Sequence, residues 1–426
     1  MSTHPSTQPD IAGAVATAPA GAKLPFVVML LALGTFLTAT TEFVIAGLLP
    51  ELASDLDVSV AHAGLLITAF AVGMIVGAPL IAIATARVPQ RSTLVAALLV
   101  FSAGHVVAAM SSSFAVVLVA RIVTAFSTGT FLAVGAAVAV SAAGAANSAR
   151  AMGTLMSGVA LATIVGVPLG SWVGQLVGWR GVFWGLAVVS AVAAVVIARL
   201  VPQGDRGAAP SLREQAGVLG QVRLWLVLAA TALVTGGFMA AFSYISPLLT
   251  ERTGLSANAV PLVLVGFGIG SLIGTNLAGR FGDRGPLRTF TVIAVSSTAV
   301  LLLLIPLSTM TVPTVVLVVL LGATGMAVTA IATPLAVRFG HRSPSLAAAL
   351  AVSAFNVGIA SGSAFAGAAL ESSLGTTGPE VVGAVMVCLG LVPLVILGTL
   401  RATTQTRDEG ASESEPVAAE MAELAL

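Results

Sequence analysis

Glu42 stands in the stretch Thr40-Thr41-Glu42-Phe43-Val44-Ile45-Ala46-Gly47-Leu48-Leu49-Pro50, which closes an apolar run starting near Pro25. A carboxylate there can bind and release a proton, accept hydrogen bonds or pair with a cation. A charge at the centre of a bilayer costs about 2.5–3.5 kcal/mol on insertion scales. Glu42 and Arg121 are the two charged residues set well inside apolar runs. Intramembrane acids are rare and usually functional, so the sequence points Glu42 to proton exchange. The competing reading is a structural acid satisfied by Arg121 or by the hydroxyl of Thr40 or Thr41. Arg121 divides the same way, between proton coupling and structural pairing. His105 titrates in a range that suits a proton site, yet one histidine on an apolar helix is more often a packing or interfacial residue.

The elements that must position these groups are membrane-spanning helices, each needing about 20 apolar residues. Polar breaks split the chain into twelve runs, over 25–50, 61–84, 91–112, 114–140, 148–177, 180–200, 222–249, 258–281, 287–307, 311–337, 345–370 and 380–400. The rise of an α-helix then sets depth: Glu42 lies about 12 Å below the outer end of its helix, and Arg121 and His105 about 10 Å below theirs. Three titratable groups therefore share one layer of the N-terminal half, and Glu42 and Arg121 are expected to face one cavity.

Composition excludes most other classes. The 426 residues are 57% hydrophobic and 8% charged, with a mean hydropathy of +1.06, whereas soluble domains carry about 25% charged residues. A net charge of +1 gives no basic face for nucleic acid. Cys388 is the single cysteine, so no intramolecular disulfide is expected, and four histidines show no metal-ligand spacing. No Gly-Lys-Ser/Thr nucleotide loop is present. The chain reads as a non-enzyme with no cofactor, no metal and no obligate protein partner, its partners being a small-molecule substrate, protons and the lipid bilayer.

Basic residues mark cytoplasmic loops. With the N-terminus inside, the eighteen Lys and Arg residues sort as fifteen inside, Arg180 and Arg252 outside, and Arg121 within the membrane. Both termini are thereby expected in the cytoplasm. The charged connection over 201–221 divides the chain into six-helix halves, 25–200 and 222–400, flanked by tails over 1–24 and 401–426 that read as disordered, the second acidic. The halves repeat. Gly73, Gly77, Leu80, Arg87, Pro89 and Arg91 recur, 197 residues on, as Gly270, Gly274, Leu277, Arg284, Pro286 and Arg288, and Pro50 recurs as Pro247. Paired half-repeats in a twelve-helix chain are the build of a secondary transporter.

Four passages carry a resemblance over about residues 24–400. They are Thr41-Glu42-Phe43 with Gly47-Leu48-Leu49-Pro50; the loop Gly77 to Arg91 with its echo Gly274 to Arg288; Arg121 with Gly129 and Gly135; and Gly158 with Gly166-Val167-Pro168-Leu169-Gly170 and Gly174. On these the chain resembles major facilitator superfamily transporters. Among them it resembles the twelve-helix drug:proton antiporters, in particular actinobacterial chloramphenicol exporters and the related sugar-efflux branch. The resemblance implies an all-α membrane protein of the major facilitator fold, twelve transmembrane helices in two six-helix pseudo-repeats, in the bacterial inner membrane. It makes Gly158, Gly166, Pro168 and Gly170 the antiporter motif, written here with Val167 between Gly166 and Pro168; the alternative is an ordinary glycine-rich packing face. It makes Gly77, Arg87, Arg91, Gly274, Asp283, Arg284 and Arg288 a cytoplasmic gate. The echo keeps Asp283-Arg284, while the first copy has Ala86-Arg87 and lacks the acid; the same basic residues also serve as topology signals.

The substrate cavity is expected between the halves near the midplane, with Phe43, Phe126, Phe131, Phe238, Phe242, Tyr244, Asn276 and Asn356 as candidates. Each has lipid-facing or packing placement as its alternative. Such a lining suits a moderately lipophilic, neutral or cationic molecule rather than a polyanion. The expected function is proton-coupled antiport exporting a chloramphenicol-like drug by alternating access. Export of a sugar or other metabolite, proton-coupled import and a non-transporting sensor are the rivals.

Overall fold

The computed structural model describes residues 24–85, 88–203, 219–341 and 343–423. The expected tail over 1–24 apart from Leu24, the gate residue Arg87 and the linker over 204–218 lie outside the described residues. Those described contain helices and turns and no strand. In the first half these are α1 (Phe26–Asp55), α2 (Val60–Thr85), α3 (Gln90–Met110), α4 (Phe114–Ala143), α5 (Ser148–Leu161) and α6 (Val167–Leu200). A π-helical turn, Ala162–Gly166, joins the last two. The second half has α7 (Val222–Ser243), α8 (Val260–Gly282), α9 (Pro286–Leu307), α10 (Thr311–Gly325), α11 (Ala327–Phe339), α12 (Pro344–Leu370) and α13 (Gly378–Glu423).

Eleven stretches among the described residues are long and apolar enough to cross a membrane. One of them, Ser148–Leu200, is 53 residues long and breaks at Gly178, whose φ of 78° and ψ of 160° are not helical. One further departure from the sequence reading has a backbone cause. The apolar run over 222–249 is not one helix: α7 stops at Ser243 and a π-turn follows at Leu248–Arg252. Pro247 offers no N–H to the carbonyl of Ser243, and its ring crowds that carbonyl. The run over 311–337 is one apolar span, Thr311–Phe339, in which Met326, itself of helical φ and ψ, separates α10 from α11. The backbone of α13 is helical through Glu423.

Glycines seat α1 against α5 and α6. A Cβ at Gly158 would meet Phe36 N and Thr35 Cβ, each at 3.1 Å; one at Gly166 would meet Thr40, one at Gly170 Val44, and one at Gly174 Leu48. Thr40, Val44 and Leu48 recur every four residues, so one stripe of α1 lies in a glycine-lined groove, the close backbone approach that small residues permit. Pro168 lacks the donor that would bond four residues back, and the π-turn falls immediately before it.

Two seams join the halves, related by the internal repeat: α2 lies along α12, and α8 crosses the π-turn and α6.

Candidate functional site

Successive residues of an α-helix point about 100° apart, and α1 uses each direction differently. Thr40 faces the glycine groove. Thr41 faces α3 and α4, where it bonds His105 and Arg121. Phe43 faces the other half, its ring edge-on to Phe242 with centroids 6.4 Å apart. Glu42 projects between the Thr41 and Phe43 directions, toward the line where the halves meet.

Arg121 is 1% exposed. Its Nη1 donates to Thr41 O and to Thr41 Oγ1, both at 3.0 Å, and its Nε donates to Leu66 O at 3.4 Å. The guanidinium lies 4.3 Å from the centroid of Phe70, a cation–π arrangement. Nη2 is buried and has no partner. Thr41 Oγ1 is also 2.7 Å from His105 Nε2, and His105 Nδ1 is 2.8 Å from Phe101 O. The structure thus gathers the three residues that the sequence placed at one depth, with Thr41 as the link. His105 is buried between the rings of Phe101 and Phe183, so it does not face lipid.

Glu42 is half-buried, although α1 is packed on several sides. Thr40 Oγ1 donates to Phe36 O at 2.7 Å, Thr41 is engaged as above, and among the described residues the carboxylate has no contact ion pair.

Of the cavity candidates, Phe43, Phe238 and Phe242 join Phe267 in one buried aromatic cluster bridging α1, α7 and α8. Phe242 stacks on Phe267 at 4.3 Å, and Phe238 on Phe267 at 6.5 Å. The sequence reading missed Phe267, and Phe70 as well; a phenylalanine in an apolar run carries no signal beyond its type. Phe131 is buried within the first half, where Gly34 leaves room for its ring, and Phe126 packs over Gly77. Asn356 is buried, its Nδ2 donating to Val352 O at 3.0 Å and its Oδ1 without a partner.

Tyr244 is a connector. Its hydroxyl reaches Ser363 O at 3.1 Å and Ala61 O at 3.4 Å, one in each half, in a space that Gly64 and Gly367 leave open. Ser363 Oγ donates to Gly64 O at 3.2 Å, Ser59 Oγ to Glu371 at 2.6 Å, Thr68 Oγ1 to Ala360 O at 3.4 Å and Gln175 Nε2 to Ala257 O at 2.7 Å. All these bonds between halves lie toward the end where α1 finishes and α2 begins. These bonds close the seam at that end. On the face of α2 that carries Thr68, Val72 is 43% and Val76 45% exposed. On the face of α8 that carries Gly268, which abuts Thr163 and Ile164, Leu272 and Asn276 are exposed.

The gate residues lie toward the other end of the helices. Arg91 Nη1 reaches Val201 O at 3.5 Å within its own half. Gly274 abuts the backbone of Ala323. Asp283, Arg284 and Arg288 are exposed around the turn from α8 to α9, and among the described residues no ion pair joins them to the first half. At the closed end Asp55 forms a contact ion pair with Arg180. Asp55 also accepts Trp179 Nε1–H at 2.8 Å, while Arg180 donates to Ser111 O at 3.0 Å and lies 4.5 Å over the Trp179 ring.

The Major Facilitator Superfamily model matches residues 31–339 and 227–424. A chloramphenicol resistance protein of Streptomyces lividans is 36% identical over 392 residues, covering 90% of this chain and 99% of that one. The inner membrane transport protein YdhP of Escherichia coli K12 is 33% identical over 388 residues, covering 90% and 98%. In fold, the chain is similar to a bacterial homologue of the human lysosomal transporter Spinster in its inward-facing, occupied conformation. That match has a TM-score of 0.70 and 17% identity, covering 90% of this chain and 98% of the other.

Proposed function

The chain belongs to the Major Facilitator Superfamily and is a multi-pass membrane transporter, and from that premise we propose that it is a proton-coupled antiporter. Its cargo is a small lipophilic molecule, neutral or cationic and chloramphenicol-like, exported across the bacterial cytoplasmic membrane by alternating access. In this reading Ser148–Leu200 crosses twice, with the break at Gly178, giving twelve spans with both termini in the cytoplasm. The end that carries Arg91 and the turn from α8 to α9 then faces the cytoplasm.

The observation that carries the reading is Glu42: a half-buried carboxylate in an apolar span, without a contact partner, set between a fixed arginine and the other half. Burial favours a neutral acid and a nearby cation favours its ionised form. An acid subject to both can change its proton when access or occupancy changes. Substrate entering from the cytoplasm displaces the proton from Glu42, and opening to the far side reloads it. A ligand drives such a cycle only by binding the two states differently. Phe43, Phe238, Phe242 and Phe267 supply apolar surface for an uncharged ring, and Asn276 and Asn356 supply hydrogen-bonding groups. The name of the Streptomyces relative makes chloramphenicol the first compound to try.

Inside-out vesicles with an acid interior and a pH-sensitive dye test the reading. Chloramphenicol is expected to release protons through the wild type and not through Glu42→Gln at matched expression. Release that survives in Glu42→Gln removes Glu42 as the proton site. Silence with chloramphenicol, other drugs and simple sugars alike removes the exporter reading.

A further inference from the structure

Arg121 is held by everything around it except the nearest acid. Its Nη1 and Nε serve Thr41 and Leu66, Phe70 covers its plane, and no ion pair to Glu42 forms. Nη2 has no partner, so the guanidinium is placed by the acceptors that Nη1 and Nε hold and by the ring of Phe70.

Thr41 is the acceptor that stands out. On the same helix, Thr35 and Thr38 each donate to the carbonyl four residues earlier, Leu31 O at 3.0 Å and Gly34 O at 3.1 Å, and Thr40 does so to Phe36 O. Such back-bonding is the default for a helical threonine. Thr41 departs from it because His105 lies opposite.

The direction of the chain follows from donor and acceptor types. Phe101 O can only accept, so His105 Nδ1 carries the hydrogen and Nε2 presents a lone pair. The Thr41 hydroxyl therefore donates to Nε2, which leaves its oxygen lone pairs facing Arg121 Nη1. Arg121 gives to Thr41, Thr41 to His105, and His105 to Phe101 O.

We propose that His105 is a positioning residue which, through the Thr41 hydroxyl, holds the Arg121 guanidinium out of contact with Glu42 and so keeps that acid free to gain and lose a proton. This rests on Glu42 being the proton site. Without His105 the Thr41 hydroxyl turns back to its own helix, its lone pairs leave Arg121, and the guanidinium closes on Glu42. Glutamine at position 105 would still offer an oxygen to the Thr41 hydroxyl; leucine would not.

The test combines a bond readout with a transport readout on the full chain. In nanodiscs, ¹⁵N-histidine NMR of the wild type is expected to show His105 protonated on Nδ1, with an Nε2 resonance that moves in Thr41→Val. An Nε2-protonated ring, or an Nε2 resonance indifferent to Thr41→Val, overturns the proposal whether or not transport is seen. In vesicles, His105→Leu and Thr41→Val are each expected to lower chloramphenicol-driven proton release about tenfold, the scale of one hydrogen bond to a charged group. The double variant should be no worse than either, and His105→Gln should recover most of the loss. Wild-type release in His105→Leu, additive losses in the double variant, or no recovery in His105→Gln overturns it. If His105→Leu fails to fold, Thr41→Val and His105→Gln decide alone. Failure of the proton-site reading looks different: Glu42→Gln then releases protons as the wild type does.

Discussion

Helix α1 carries two acids that each look to an arginine, and the two pairs are built oppositely. At its end Asp55 touches Arg180, takes a second bond from Trp179, and sits where both side chains reach solvent. Between three and four turns inward, Glu42 and Arg121 form no contact ion pair. Both arginines lie over an aromatic ring, Trp179 at 4.5 Å and Phe70 at 4.3 Å, so the ring does not make the difference. What differs is who fills the guanidinium's donors. Arg180 spends them on the acid and on Ser111 O, whereas Arg121 spends them on Thr41 and Leu66. A contact pair locks two helices at one separation. A separated pair leaves one partner free to change charge.

That contrast can be broken most sharply at the acids themselves. Glu42→Gln is expected to reduce chloramphenicol-driven proton release to the level of empty vesicles, whereas Asp55→Asn leaves it unchanged at equal expression. Replacing the cations comes next. Arg121→Lys should lower release about tenfold, since a single ammonium cannot serve Thr41 and Leu66 together while covering Phe70; Arg180→Lys should stay within about twofold. Stability is expected to run the other way. In denaturant unfolding, Asp55→Ala should cost about 1 kcal/mol, a modest figure because the pair is part-exposed, while Glu42→Gln should cost nothing or stabilise. The smallest contrast lies in the rings. Phe70→Leu should remove about 0.5–1 kcal/mol of cation–π attraction, read as a slight fall in release, and Trp179→Phe should leave release untouched while lowering stability through the lost Nε1–H bond.

The place of α1 was legible from length and hydropathy: it is expected over 25–50 and found at Phe26–Asp55. The shared depth of Glu42, Arg121 and His105 was legible because a helix has one rise per residue. Rotation was not. A membrane helix is apolar toward lipid and toward its neighbours, so the periodicity that reveals the inner face of a soluble helix is erased. Hence Thr41 could not be told from Thr40 as the residue that meets Arg121, nor could Phe131, enclosed within one half, be told from Phe43, which reaches the other. The repeat misleads in one respect as well. Pro50 and Pro247 are equivalent in sequence, yet α1 runs on through Pro50 while α7 stops short of Pro247.

The glycine groove under α1 has a consequence for how Glu42 reports on the cycle. Thr40, Val44 and Leu48 are keyed into Gly166, Gly170 and Gly174, and Thr41 is tied to α3 and α4, so α1 travels as cargo of the first half. In the alternating-access cycle proposed above, rocking of one half against the other would then keep the offset between Glu42 and Arg121 and change only the Phe43–Phe242 side. The carboxylate would be a gauge with one fixed jaw and one moving jaw, and what it measured would be the opening of the transporter.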